Sequence, residues 1–398
     1  MAELDLVVVG AGVAGLAAAA AARAAGWRTV VLEAGRRPGG RAATVAVAGA
    51  PFDLGAAWLH GAEANPLAAV ARAAGARPLP WAPTRRLRIG ERWADAGEAA
   101  EYAAALARIP GHLARVAGEG GDMAVAEAAA PLAGDPWLPT VLAREASLIA
   151  AADPDLLSLQ DWAANRLGEG NLLLPGGIGD FVARHLVPAA GEIRLAHPVR
   201  RIRRGRRPVV EGEWGRLEAG RVVVTVSTGV LAAGDIGFDP PLPDVTQAAI
   251  EGLPMGLLSK VALSGRADEL GLPASCSLWR RLAPGEAAVS LLAWPAGRPY
   301  VVGHVGGRAA WAHTDAAAAE ALVRAAWREL AGAAAERALR GPAVVTGWGT
   351  DPLFRGAYAY AVPGRGGPNG ARAELARPLE GGRLWFAGEA CHETLAGT

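Results

Sequence analysis

Lysine is almost absent from this chain. Of 40 basic residues, 39 are arginine and one is lysine, Lys260. A chain so biased uses arginine wherever a generic cation serves. The position kept as lysine is therefore a candidate for work that needs an ammonium: compact, with three donors, and able to shift its pKa. Cysteine is scarce too. Cys276 and Cys391 form no CxxC pair and no disulfide framework, which fits a reducing cytoplasm. The seven histidines show no HExxH pair and no GxSxG elbow occurs, so neither a metal site nor a serine hydrolase emerges. No apolar run reaches the roughly 20 uninterrupted residues of a membrane span. Glu3 and Asp5 stand where a secretory leader would be basic. A net charge of +1 demands no polyanion, and the six arginines between Arg200 and Arg207 lack interleaved aromatics. They read as a solvated hairpin turn, so neither nucleic acid nor membrane is expected as a partner.

Glycine is abundant and placed to matter. Leu6 to Val9 is an apolar run that meets Gly10-Ala-Gly12-Val-Ala-Gly15, followed by an alanine-rich helical segment and a second β-like run, Thr29 to Leu32, ending in Glu33. In such a strand–turn–helix–strand unit Gly10 allows the tight turn. Gly12 lets a diphosphate approach the backbone, and Gly15 lets helix and strand pack closely. The helix N-terminus offers free N–H groups to that diphosphate, and Glu33 is placed to accept hydrogen bonds from a ribose diol. A bound dinucleotide follows.

Further along, Gly55, Ala56 and Ala57 are small enough for a flat ligand to lie against the backbone, with Trp58 and His60 on the loop beyond. Residues 62–170 carry helical apolar spacing broken by prolines and read as a mainly helical insert. Ile193 to Ile202 and Arg221 to Val224 read as strands, and so do the runs 288–294 and 300–304. Asp315 to Ala333 reads as a helix. Lys260 lies inside the apolar, strand-like Leu257–Leu263, where an unpaired charge is costly.

Taken together, VVVGAGVAGL with LEAGRRPGGR, FDLGAAWLHG, VVVTVSTGVLAAGDIGFDPPLP, GLLSKVAL, GWGTDPLFRGAYAY and LWFAGEA resemble the flavin-dependent amine oxidases. That group holds the monoamine oxidases, polyamine oxidases and histone lysine demethylases. The resemblance implies an α/β fold: a Rossmann-like, GR2-type FAD-binding domain with an α+β substrate-binding domain. The expected division is 1–75, 171–260 and 341–398 for the first, 76–170 and 261–340 for the second. It implies FAD held by Gly10, Gly12, Gly15, Glu33, Ala34, Gly40, Arg41, Gly388 and Glu389, with Val199 meeting the adenine from a strand. Gly55, Ala56, Ala57, Trp58 and Trp348 would line the isoalloxazine. Lys260 would hold a water near flavin N5, and His60, Tyr358 and Thr398 would contact the amine, Thr398 also the cofactor. The implied reaction removes a hydride equivalent from the α-carbon of a neutral amine. Water then hydrolyses the imine, and dioxygen reoxidises the flavin to give peroxide.

Departures from the family pattern narrow this. Ala357 stands where monoamine oxidases attach flavin through cysteine, so FAD is expected to be non-covalent. GAAWLHG with His60, and threonine at 398, are nearer to polyamine oxidases, and the demethylases' coiled-coil insertion is absent. Glu63 is the one acidic candidate for pairing with a polycation, and Ser227 replaces the usual proline. The family continues past Thr398 into a helix facing the flavin pyrimidine ring; without its N–H donors, weaker flavin binding is expected. The alternatives are another oxidoreductase of the same fold, acting on an amino acid or as a desaturase, and a non-catalytic FAD-stabilised binding module.

Overall fold

A computed structural model of the chain describes residues 3–168, 170–265 and 271–396. It contains two large sheets. In the first, β1 (Leu4–Val9) pairs in parallel with β2 (Thr29–Leu32) on one side and with Gly215–Val224 on the other. Leu384–Phe386 adds in parallel beside Gly215–Val224, and Glu192–Arg194 beside β2. Helix α1 (Val13–Ala24) crosses over between β1 and β2. Both faces of this sheet are covered, which is why its strands are continuously apolar rather than alternating. Val7, Val9, Val222 and Val224 enter one core, while Leu6, Val8 and Val31 meet Leu16 of α1 in another.

The second sheet has seven strands, in the order Leu339–Val345, Leu258–Gly265, Tyr300–Gly306, Val289–Ala293, Cys276–Arg280, Thr84–Ile89, Arg92–Trp93. One face carries Val261, Leu263, Leu291, Val301 and Val305 against the helix Ala316–Ala331, whose N-cap is Asp315. Gly303 lets that helix come close: a Cβ there would lie 2.4 Å from Val323. The other face carries Ala262, Leu292, Tyr300 and Val302 against Val47 and Phe52. Those two belong to a hairpin, Thr44–Val47 with Ala50–Asp53, that continues directly from Gly39–Arg41. The hairpin thus couples the nucleotide-binding turn to the face of the second sheet that bears Lys260.

Two expectations need correction and one an addition. The insert 62–170 is mainly helical, as read, but it also holds the strands Leu79–Pro80, Thr84–Ile89 and Arg92–Trp93. Thr84–Ile89 pairs in parallel with Cys276–Arg280, a partner so distant in sequence that local spacing carries no sign of it. Ile193 to Ile202 is not one strand. It breaks between Glu192–Arg194 and Arg201–Arg203, where Ala196 N–H and His197 N–H donate to Gly35 O and Glu33 O, and Pro198 has no N–H to give. Val199 is buried in that connection and is not on a strand.

One feature agrees with the sequence reading. The arginine-rich stretch is the hairpin turn of Arg201–Arg203 and Val209–Gly212, with Arg203, Arg204 and Arg207 paired to Glu211, Glu380, Glu218 and Glu3. Among the described residues no helix is long and apolar enough to cross a membrane. The strands of Lys260 and Val345 run across the 260/261 and 340/341 boundaries. We propose that both strands belong whole to the substrate-side unit.

Candidate functional site

The glycine turn has the geometry a dinucleotide needs. Gly10 adopts φ +102°, a left-handed conformation that side chains resist. A Cβ on Gly15 would lie 2.0 Å from Gly10 O, so only glycine lets α1 sit this close to β1. At Gly12, the N-cap of α1, a Cβ would meet nothing within 4 Å, and no side chain caps the first turn. That combination of open space and uncapped N–H groups suits a diphosphate. Glu33 follows β2, its two carboxylate oxygens accepting from Ala11 N–H and Gly35 N–H at 2.7 Å each. Each oxygen keeps a second lone pair for a ribose hydroxyl. Ala34 beside it is exposed.

Gly39 forms a parallel bridge to Gly12, and Gly40, at φ +58°, brings its Cα side against Gly12. The second glycine pair therefore lies on the first. Arg41 reaches across the chain: its Nη1 donates to Ala357 O at 2.6 Å and to Glu389 Oε1 at 3.0 Å. The Glu389 carboxylate also accepts from Ala359 N–H at 3.1 Å. Arg41, Thr225, Val226, Gly388 and Glu389 line one cavity, and a Cβ at Gly388 would meet nothing within 4 Å. Residues from both chain ends thus converge, and the set fits a dinucleotide with a longer body beyond its diphosphate, as FAD has.

Lys260 lies at the centre of the second half of the site. It is 4% exposed and its Nζ donates to Gly55 O at 2.5 Å and Asp53 O at 3.1 Å. Its backbone N–H donates to Thr346 Oγ1 at 2.9 Å. The Asp53 carboxylate is committed elsewhere, to the Thr44 hydroxyl at 2.5 Å and to Ile178 N–H and Gly179 N–H. Lys260 therefore has two carbonyls and no touching carboxylate, and burial pulls its pKa down to about 8, with Asp53 opposing. Gly55 cannot carry a side chain, because a Cβ would lie 1.7 Å from Arg41 O.

The Trp58 ring lies 5.3 Å from Lys260 Nζ and packs with His60, Trp81 and His304 at centroid distances of 6.2, 5.9 and 5.8 Å. His60 Nδ1 pairs with Asn171 Oδ1 at 2.8 Å, which leaves Nε2 as the free ring nitrogen. Burial lowers its pKa; Asn171 opposes the shift and Lys260 adds to it. Trp348 is buried, donates to Leu54 O at 3.3 Å and meets Phe354 edge-on at 5.0 Å. Tyr358 donates its hydroxyl to Ile149 O at 2.9 Å, just past the π-helical turn Ala143–Leu148.

The structure brings Lys260, Trp58 and His60 together, and links Arg41 with Glu389 and with Ala357 beside Tyr358. Glu63 is exposed in a turn and makes no part of the cluster. Thr398 lies outside the described residues. His304, Trp81 and Tyr300 escaped the sequence reading. His304 had one available signal, a histidine inside an otherwise apolar strand, and nothing in sequence tied it to Lys260. Among the described residues no group of three His, Cys, Asp or Glu could hold a metal ion.

A family model described as flavin containing amine oxidoreductase matches residues 143–398, and one described as NAD(P)-binding Rossmann-like domain matches residues 8–74. Polyamine oxidase 1 of Oryza sativa subsp. japonica is 30% identical over 98% of this chain and 93% of its own length. Polyamine oxidase 3 of the same plant is 30% identical over 98% and 85%. Among solved structures, a wild-type putrescine oxidase bound to putrescine superposes with a TM-score of 0.79 at 19% identity, covering 100% of this chain and 95% of the other. That last likeness is one of fold.

Proposed function

Since this chain belongs to the flavin-containing amine oxidoreductases and works with FAD, we propose that it is an oxidase of a polyamine or a related secondary amine, with FAD held non-covalently. FAD, when bound, supplies the two-electron acceptor; the chain's own residues do the rest. Glu33 and the α1 N-terminus would take the ribose and diphosphate, with Gly40 and Arg41 beside them and Gly388 and Glu389 closing the site from the other chain end. Gly55, Ala56, Ala57, Trp58 and Trp348 would line the ring system. Amines reach the site mostly as ammonium ions, yet only the neutral amine has the lone pair that expels a hydride equivalent. The cluster around Trp58 answers this with basic groups held toward neutrality, Lys260 and His60, and no touching carboxylate to fix the ammonium form. Tyr358 offers an aromatic face for the amine, oriented by its bond to Ile149 O. Buried Lys260 would order the water that hydrolyses the imine.

The observation that carries this reading is Lys260: a chain with one lysine buries it, without a carboxylate in contact, between two carbonyls. The relatives named above support the substrate class. The test is an amine panel of spermine, spermidine, putrescine and a simple monoamine. Peroxide release and anaerobic flavin bleaching are expected with at least one polyamine, and no bleaching with any amine overturns the proposal. Acid precipitation should leave the yellow flavin in the supernatant; a yellow pellet overturns the non-covalent assignment.

A further inference from the structure

Lys260 is not the only polar residue on its face of the second sheet. In the antiparallel pairing Lys260 stands directly opposite His304, and His304 directly opposite Ser290 on the next strand. Directly opposed residues of antiparallel strands share a face, with Cβ atoms about 4.5–5.5 Å apart. The three therefore form one row across three strands. Two residues further along the same face, the corresponding row is Ala262, Val302 and Leu292, all buried and apolar. A polar row inside an apolar face carries a desolvation cost and calls for a reason. Burial also changes along it: Lys260 is 4% exposed and His304 9%, while Ser290 is half-buried. His304 Nε2 is buried with no hydrogen-bond partner, and so is Trp58 Nε1 on the ring packed against it. Among the described residues no carboxylate is seen to pair with the row. The Asp53 carboxylate is held by Thr44 and two backbone N–H groups, and Tyr300 on the histidine strand gives its hydroxyl to Pro51 O.

Resting on the function proposed above, the reaction makes a demand that such a row meets. An ammonium substrate must lose one proton before its hydride equivalent can leave. Reduction of dioxygen to peroxide by that hydride equivalent then takes one proton back. Every turnover thus moves one proton out of a buried site and one in. We propose that Lys260, His304 and Ser290 form the path for this proton, with Lys260 at the inner end, Ser290 at the outer end, and water bridging the gaps between side chains. An imidazole suits the middle position because it accepts on one ring nitrogen while releasing from the other. Burial and the neighbouring Lys260 keep His304 neutral, so it passes a proton on rather than storing one.

The lone lysine makes the path measurable without turnover. Protein grown with 15N-lysine and loaded with FAD has a single side-chain ammonium, whose exchange with solvent is read near neutral pH. His304→Phe should slow that exchange at least tenfold, and Ser290→Val several-fold. Ser290→Thr, isosteric with valine but keeping the hydroxyl, should behave as the parent. In anaerobic reduction followed with a pH-indicator dye, proton release should keep pace with flavin bleaching in the parent and lag behind it in His304→Phe. Equal exchange in the valine and threonine variants overturns the path, whether or not His304→Phe folds. If no amine bleaches the flavin, the functional proposal fails, while the exchange rates still decide for or against the row.

Discussion

Arg372 and Lys260, both buried among the described residues, are treated in opposite ways. Arg372 makes a bidentate pair with Asp161 at 2.7 and 3.0 Å, with both side chains nearly inaccessible. Its remaining donors reach Ala359 O at 2.8 Å and, at 3.4 Å, Glu389 O and Ala390 O. Asp161 in turn accepts from Ala361 N–H at 2.8 Å. Despite burial, the Asp161 carboxylate holds the guanidinium firmly charged. Lys260 has only two carbonyls and a lowered pKa. The first arrangement fixes a proton and a position, clamping the segments of Glu389 and Ala359 together. The second holds its proton less firmly. Arginine serves the first because its planar fork matches a carboxylate; the ammonium serves the second because its pKa moves.

The largest effect should come from removing Lys260. Lys260→Met is expected to lower turnover on the best amine by about 10²–10⁴-fold, the range for loss of a positioned acid–base group. Its stability at pH 7 should be unchanged or higher, since an apolar side chain replaces a charge without a contacting counter-ion. Unchanged anaerobic reduction and reoxidation would remove Lys260 from the mechanism. The clamp should show the reverse pattern. Arg372→Met leaves the Asp161 charge buried and alone, which costs about 3–5 kcal/mol in urea unfolding. Arg372→Met combined with Asp161→Leu should recover most of that loss, because both charges go together. A small cost for Arg372→Met alone would show that the clamp does not bear on stability.

The contrast also marks what could be read from residues alone. Gly10, Gly12, Gly15 and Glu33 act within one βαβ unit, so spacing along the chain is spacing in space, and their geometry follows the reading closely. Lys260 was legible for a different reason: the rarity of lysine singled it out. His304 and Ser290 were not, because they meet Lys260 only through strand register, and register is set by pairing across the sheet. Asp161 and Arg372 lie 211 positions apart, and no local pattern links them. The same limit explains the strand at Thr84–Ile89: its arginines gave no clear period, and its place depends on Cys276–Arg280 beside it.

The smallest effect is the most direct measure of the contrast. A group whose folded pKa is depressed below its unfolded value binds fewer protons when folded, so stability rises with pH between the two values. For Lys260 that window runs from about 8 to the ordinary lysine value of 10.5. A shift of this size corresponds to roughly 3 kcal/mol, absent below the window and fully gained above it. Arg372 stays charged throughout and contributes no slope. Buried Tyr102, raised to about 12, acts in the opposite sense above pH 10, because its unfolded form ionises first. Comparing the parent with Lys260→Met removes that shared contribution. The parent should therefore gain stability relative to Lys260→Met as pH rises from 8 to 10.5, while relative to Arg372→Met it should gain none. Parallel stability curves for the parent and Lys260→Met across that window would show that Lys260 is as firmly protonated as Arg372, and the distinction between the two cations would fall.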